Sequence, residues 1–137
     1  MSKVIVHVKL AIKPLSANKM HYARMKKDTA EYRQYKGDIK GLIGGSYDVS
    51  PKAQLKLTLV TGYSSKASDL DNAFKPLLDS MQLSMGFDDK QVYEIEAYKD
   101  VVKRGEEYLF IKLEQIPPTS VKVKIGKLLK KLIGEGG

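Results

Sequence analysis

With 137 residues, 42% of them hydrophobic, the chain can build one core of its own and is too short for two comfortable domains. A formal charge of +8 favours a polyanionic partner, nucleic acid ahead of an acidic membrane surface. The lack of any cysteine excludes disulfides, cysteine-ligated zinc, iron–sulfur clusters and a thiol nucleophile.

Val4 to Leu10 is rich in β-branched residues and alternates, which predicts a first strand with Val4, Val6 and Val8 on one face. The run is flanked by Lys3 and Lys9 and is too short for a signal-peptide core. No other run approaches a membrane span, so a soluble, cytoplasmic protein with no membrane partner is expected. Lys13 to Asn18 carries loop chemistry. After it, Lys19, His21, Tyr22, Arg24, Lys26 and Lys27 interleave cations with an aromatic, as a phosphate-tracking loop would. Asp28-Thr29-Ala30-Glu31 reads as a capping box with Asp28 as the cap. Tyr32, Tyr35, Ile39, Leu42 and Ile43 then recur at helical spacing until Gly44-Gly45 ends the run.

Gln54 to Val60 alternates with Leu55, Leu57 and Leu59 inward, a second strand, and a polar loop follows from Gly62 to Ala67. Leu70, Phe74, Leu77, Leu78 and Met81 form a helical stripe. Pro76 requires that helix to begin near Asp71 or Asn72. Gln91 to Lys99 and Tyr108 to Glu114 alternate on either side of a Lys103-Arg104-Gly105-Glu106 turn, which predicts a β-hairpin. Ile116-Pro117-Pro118 closes the domain. The expected architecture is a single small α/β (α+β) domain over residues 1–116, with a mixed β-sheet packed by two main helices. Residues 117–137 form a basic amphipathic tail whose apolar face is expected to dock on its own domain or on a second subunit.

In this basic chain, carboxylates gather at two places, Asp69 with Asp71 and Asp88 with Asp89, and Lys75 lies four residues beyond Asp71. In extended backbone Asp69 and Asp71 would point the same way, about 7 Å apart at Cα. Clustered carboxylates repel, so a fold that keeps them together usually supplies a cation. Asp69, Asp71 and one of the Asp88-Asp89 pair would give Mg²⁺ its oxygen ligands. Lys75 would stabilise charge on a reacting phosphate. Taken one at a time, helix capping explains Asp69 or Asp71 and a turn explains Asp88-Asp89, but one cap needs one Asp and four are clustered.

The order Asp69-Leu70-Asp71-Asn72, Lys75, Leu78-Asp79, Gly86-Phe87, Asp88-Asp89-x-Gln91-Val92 resembles the RusA-type Holliday-junction resolvases of bacteria, their phages and prophages. Pro14-x-Ser16-x-Asn18 with its trailing basic residues, and Lys99 after the Gln91-Val92 strand, are similar to the same family, and the likeness runs from Val4 to Ile116. The resemblance implies a homodimeric enzyme that binds four-way DNA junctions and resolves them by paired, symmetrical, Mg²⁺-dependent nicks in DNA recombination and repair. It implies Asp69, Asp71 and Asp89 as metal-binding catalytic acids, Asp88 as an adjacent contributor to the metal, and Lys75 as the catalytic lysine. Asn18, Lys19, Arg24, Lys26, Lys27, Lys66 and Lys99 are the candidate DNA contacts. A non-catalytic nucleic-acid-binding protein and a nuclease for branched or flap DNA are the alternatives.

Overall fold

The computed structural model of the chain describes residues 2–22 and 27–134; Arg24 and Lys26, two of the candidate DNA contacts, lie outside them. Strands β1 (Lys3–Leu10), β2 (Gln54–Tyr63), β3 (Val92–Val101) and β4 (Tyr108–Ile116) form one mixed sheet in the order β1-β4-β2-β3. Helices α1 (Ala30–Ile43) and α2 (Phe74–Met85) cover one face of it, and α3 (Ser120–Ile133) follows β4.

Period-two alternation explains the centre of the sheet. Leu55, Leu57 and Leu59 of β2 and Leu109, Ile111 and Leu113 of β4 are all fully buried. Each stabilises the fold by about 1.5–3 kcal/mol relative to exposure. Tyr32, Tyr35 and Ile39 of α1 and Leu77, Met81 and Met85 of α2 close over them, at the helical spacings the sequence shows. Pro76 falls in the first turn of α2, where its missing N–H leaves no bond unmade. Its carbonyl accepts from Ser80 Oγ at 2.7 Å.

Three expectations are corrected and a fourth is narrowed. The β3–β4 hairpin does not form: β3 runs parallel to β2, pairing Leu57 with Ile95 and Thr61 with Lys99, while β4 lies antiparallel on the other side of β2. Parallel neighbours need a crossover, and α2 is that crossover. In β1 a bulge between Val4 and Val6 puts Val6 opposite Leu113 but Val4 opposite Glu114, so Val4 leaves the core face and is exposed. Thr29, not Asp28, caps α1, its Oγ1 accepting from the Tyr32 N–H at 3.0 Å. Asp28 is drawn away to Lys36 and His21. Finally, α3 does not bury its apolar stripe on its own domain: Ile125, Leu128, Leu129, Leu132 and Ile133 are all exposed, and Lys124 pairs with Glu94 of β3 at 2.9 Å. Among the described residues, no helix is long and apolar enough to cross a membrane.

Candidate active site

The first acidic pair sits where β2 hands over to α2. Leu70 is helical (φ −60°, ψ −45°) and Asp71–Ala73 form a 3-10 turn running straight into the helix. The backbone between the two carboxylates is therefore a turn and not the extended dipeptide the spacing suggested. Neither Asp69 nor Asp71 caps a helix, since the 3-10 turn and α2 both start without a side-chain cap. Both side chains are exposed, and Asn72 Nδ2 donates to Asp69 Oδ2 at 3.3 Å. Beneath them lies Tyr63, the last residue of β2, whose phenol donates to the Asp69 carbonyl at 3.1 Å. Burial, and then the charges of Asp69 and Asp71, push the Tyr63 phenol above its usual range, so it remains a neutral donor.

The second pair lies where α2 hands over to β3. Asp88 caps a 3-10 turn over Asp89–Gln91: its Oδ1 accepts from the Lys90 N–H at 3.0 Å, and Gln91 Oε1 accepts from the Asp88 N–H at 3.0 Å. The turn reading thus accounts for Asp88. The Lys90 N–H, and next the Asp89 carboxyl, hold Asp88 below the usual carboxylate range. Buried Gln91 also donates through Nε2 to the carbonyls of Ser50 and Ala53, at 2.8 and 3.0 Å, which anchors this turn to the start of β2. Asp89 keeps an exposed carboxylate, while its backbone N–H donates to Gln82 Oε1 at 2.9 Å.

These anchors settle how far apart the two pairs are. Asp69 is tied to the end of β2, and the Asp88–Asp89 turn is tied to its beginning. Between them stand the 12 residues of α2, about 18 Å of helix. Among the described residues, no three carboxylate or imidazole side chains converge where they could hold an ion. One copy of the chain therefore does not assemble Asp69, Asp71 and Asp89 into a single metal site.

Lys75 makes its ion pair with Asp79, at 3.4 Å and one helical turn on, and not with Asp71. Tyr32 Oη donates to the other oxygen of Asp79 at 3.2 Å, so α1 fixes the carboxylate that holds the lysine. Of the candidate DNA contacts, Asn18 and Lys19 line a cleft of about 910 Å³ that also includes Asp69, Asn72, Gln34 and Tyr63. Lys27 and Lys66 are exposed. Lys99 is half-buried and gives its ammonium to two backbone carbonyls, those of Lys66 and Ser68. Sequence reasoning passed over Tyr63, Tyr32 and Gln82. Asp79 had a signal in its i,i+4 spacing from Lys75; the other three had none, because their roles arise from partners distant in the chain.

Carboxylates free of caps, and among the described residues free of ion pairs, are hard oxygen donors of the kind a divalent cation takes, and Asp69, Asp71 and Asp89 fit that description. Compared with known proteins, residues 11–114 match the family model described as endodeoxyribonuclease RusA, about three quarters of the chain. No curated protein matches. With the acidic turns, the crossover that separates them and the cleft beside Asp69 all inside the matched span, the chain belongs to the RusA family of endodeoxyribonucleases, the Holliday-junction resolvases.

Proposed function

We propose that this endonuclease works as a homodimer on four-way DNA junctions, cutting symmetrically in paired nicks with Mg²⁺, and that each active site joins Asp69 and Asp71 of one copy to Asp89 of the other. One observation carries this reading: the two acidic turns stand at opposite ends of α2, too far apart to share an ion within one chain. A two-fold axis that brings one end of α2 against the opposite end of its counterpart completes two equivalent sites at once. Resolving a junction needs two cuts placed symmetrically, which the same axis supplies.

The bound ion would lower the pKa of the attacking water and neutralise charge growing on the phosphate. The chain's own residues do the rest. Asp69, Asp71 and Asp89 offer the oxygens. Lys75, steadied by Asp79, turns its ammonium to the non-bridging phosphate oxygens when DNA is seated. Asn18 and Lys19 in the cleft beside Asp69 hold the flanking backbone.

Cleavage of a labelled mobile four-way junction in Mg²⁺ or in EDTA, beside linear duplex and flap controls, tests the reading. Paired symmetrical nicks confined to the junction and to Mg²⁺ support it. Binding without cutting in any metal would replace it with an architectural binder, and equal cutting of flaps would remove the junction specificity.

A further inference from the structure

We infer that Lys99 is a positioning residue for Asp69, acting through the backbone of the loop that delivers it, and is not a phosphate contact. The inference rests on the reading of Asp69 as a metal ligand. Lys99 lies on β3, opposite Thr61 of β2, and reaches the loop between β2 and the acidic turn. Its Nζ donates to the carbonyl of Lys66 at 2.6 Å and to the carbonyl of Ser68 at 2.5 Å. Charge-assisted bonds of this length are the strong kind, and an ammonium committed to two of them has a single N–H left to offer DNA.

The peptide group explains why these carbonyls matter. The Ser68 carbonyl and the Asp69 N–H belong to one planar unit, so holding the first fixes the second. The next unit starts with the Asp69 carbonyl, which Tyr63 holds at 3.1 Å. Lys99 and Tyr63 therefore grip the two peptide planes on either side of the Asp69 Cα. With both planes held, φ and ψ of Asp69 are restrained, and with them the direction of its Cα–Cβ bond, while Asn72 Nδ2 holds the carboxylate itself at 3.3 Å. The anchors come from neighbouring parallel strands of the sheet. Loop residues Ser64 to Ala67 are exposed and would otherwise leave Asp69 on a loose tether.

The test compares Lys99→Met, which keeps the stem and loses the charge, with Lys99→Arg, which can restore donors to the carbonyls. Amide hydrogen exchange over residues 65–69, measured without metal or DNA, is expected to rise about tenfold or more in Lys99→Met and to be largely restored by arginine. Single-turnover cleavage should fall about ten- to a hundredfold in Lys99→Met, as expected for a misplaced group. Junction affinity in Ca²⁺, and its salt dependence, should stay as in wild type. A phosphate contact behaves in the opposite way: weaker binding, a salt slope shallower by about 0.9 and unchanged loop exchange would overturn the inference. Should Lys99→Met fail to fold, Tyr63→Phe removes the second anchor and is expected to raise the same loop exchange; unchanged exchange there would equally overturn the inference. Asp69→Asn, assayed in parallel, separates the two ideas. Wild-type cutting by Asp69→Asn would sink Asp69 as a metal ligand, while the exchange data would still decide what Lys99 holds.

Discussion

Mixing two dead enzymes should produce a live one. Asp71→Asn removes a proposed ligand at the start of α2, and Asp89→Asn removes another just beyond its end. Carboxylates that share a Mg²⁺ have oxygens about 2.0–2.1 Å from it. The roughly 18 Å length of α2 exceeds any such reach several-fold. If each site draws its acids from two copies, either variant alone has both sites damaged. In a mixed dimer both lesions fall in one site, and the other site is wild type. Random exchange makes about half of the dimers mixed, so about a quarter of all sites become active again. Such a dimer can cut only one strand, so the junction is nicked and not resolved. The assay is denaturing electrophoresis of a labelled junction after the variants are unfolded together and refolded, with native electrophoresis to separate nicked from resolved DNA. No recovery after subunit exchange has been verified by two differently tagged copies would refute the shared-site reasoning. Recovery of fully resolved product would refute the count of one good site per mixed dimer.

Three other perturbations probe the parts of the scaffold that hold the site. Lys75→Ala should slow single-turnover cleavage while leaving junction affinity intact and stability within about 0.5 kcal/mol, since the Lys75 side chain is largely exposed; a pure loss of affinity would make Lys75 a phosphate contact. Gln91→Leu removes three hydrogen bonds around a buried amide and should cost about 3 kcal/mol in urea unfolding, at roughly 1 kcal/mol each. A loss under about 1 kcal/mol would show that the anchor of the Asp88–Asp89 turn lies elsewhere. Asp28 is held below the usual carboxylate range, chiefly by its hydrogen bond from Lys36. A depressed folded-state value means its contribution is present at neutral pH and disappears as pH falls through that value, below 3.8. Asp28→Asn should therefore be less stable than wild type at pH 7, with the gap closing towards pH 3; a gap that stays constant with pH would rule out the linkage.

The candidate residues were legible as a list, and the helices were legible as stripes, because both depend on spacing along the chain. The distance between the acids was not legible, because it depends on how β3 is placed. Two alternating segments on either side of Lys103 to Glu106 look like a hairpin, and Gly105 does adopt a turn conformation at φ 94°. The turn instead carries the chain across β2, and β4 becomes an inner strand. A signal for this was present. The β3 segment carries Glu94, Glu96, Lys99 and Asp100, the charged dress of an edge strand, whereas β4 brings Leu109, Ile111 and Leu113, all fully buried. Those charges mark β3 as an edge and β4 as an inner strand, but they do not choose between β4 and β2 as the neighbour of β3. The cap of α1 failed for a different reason. Asp28 and Thr29 are both competent caps, and the choice was made by Lys36 and His21, which claim Asp28 through tertiary contacts that a local pattern cannot contain.

The opposite placement of the two acidic turns also bears on how such a nuclease is kept safe. If each active site is completed by a second copy, as proposed, a newly made copy carries no complete blade. Cutting power then grows with the square of the amount of protein while copies are scarce, and dilution alone switches it off. Stray single chains would be harmless to the genome around them. The same proposed division would link cutting to pairing, so the molecule able to cleave would already be the one with two blades related by symmetry, ready for a substrate that must be cut twice.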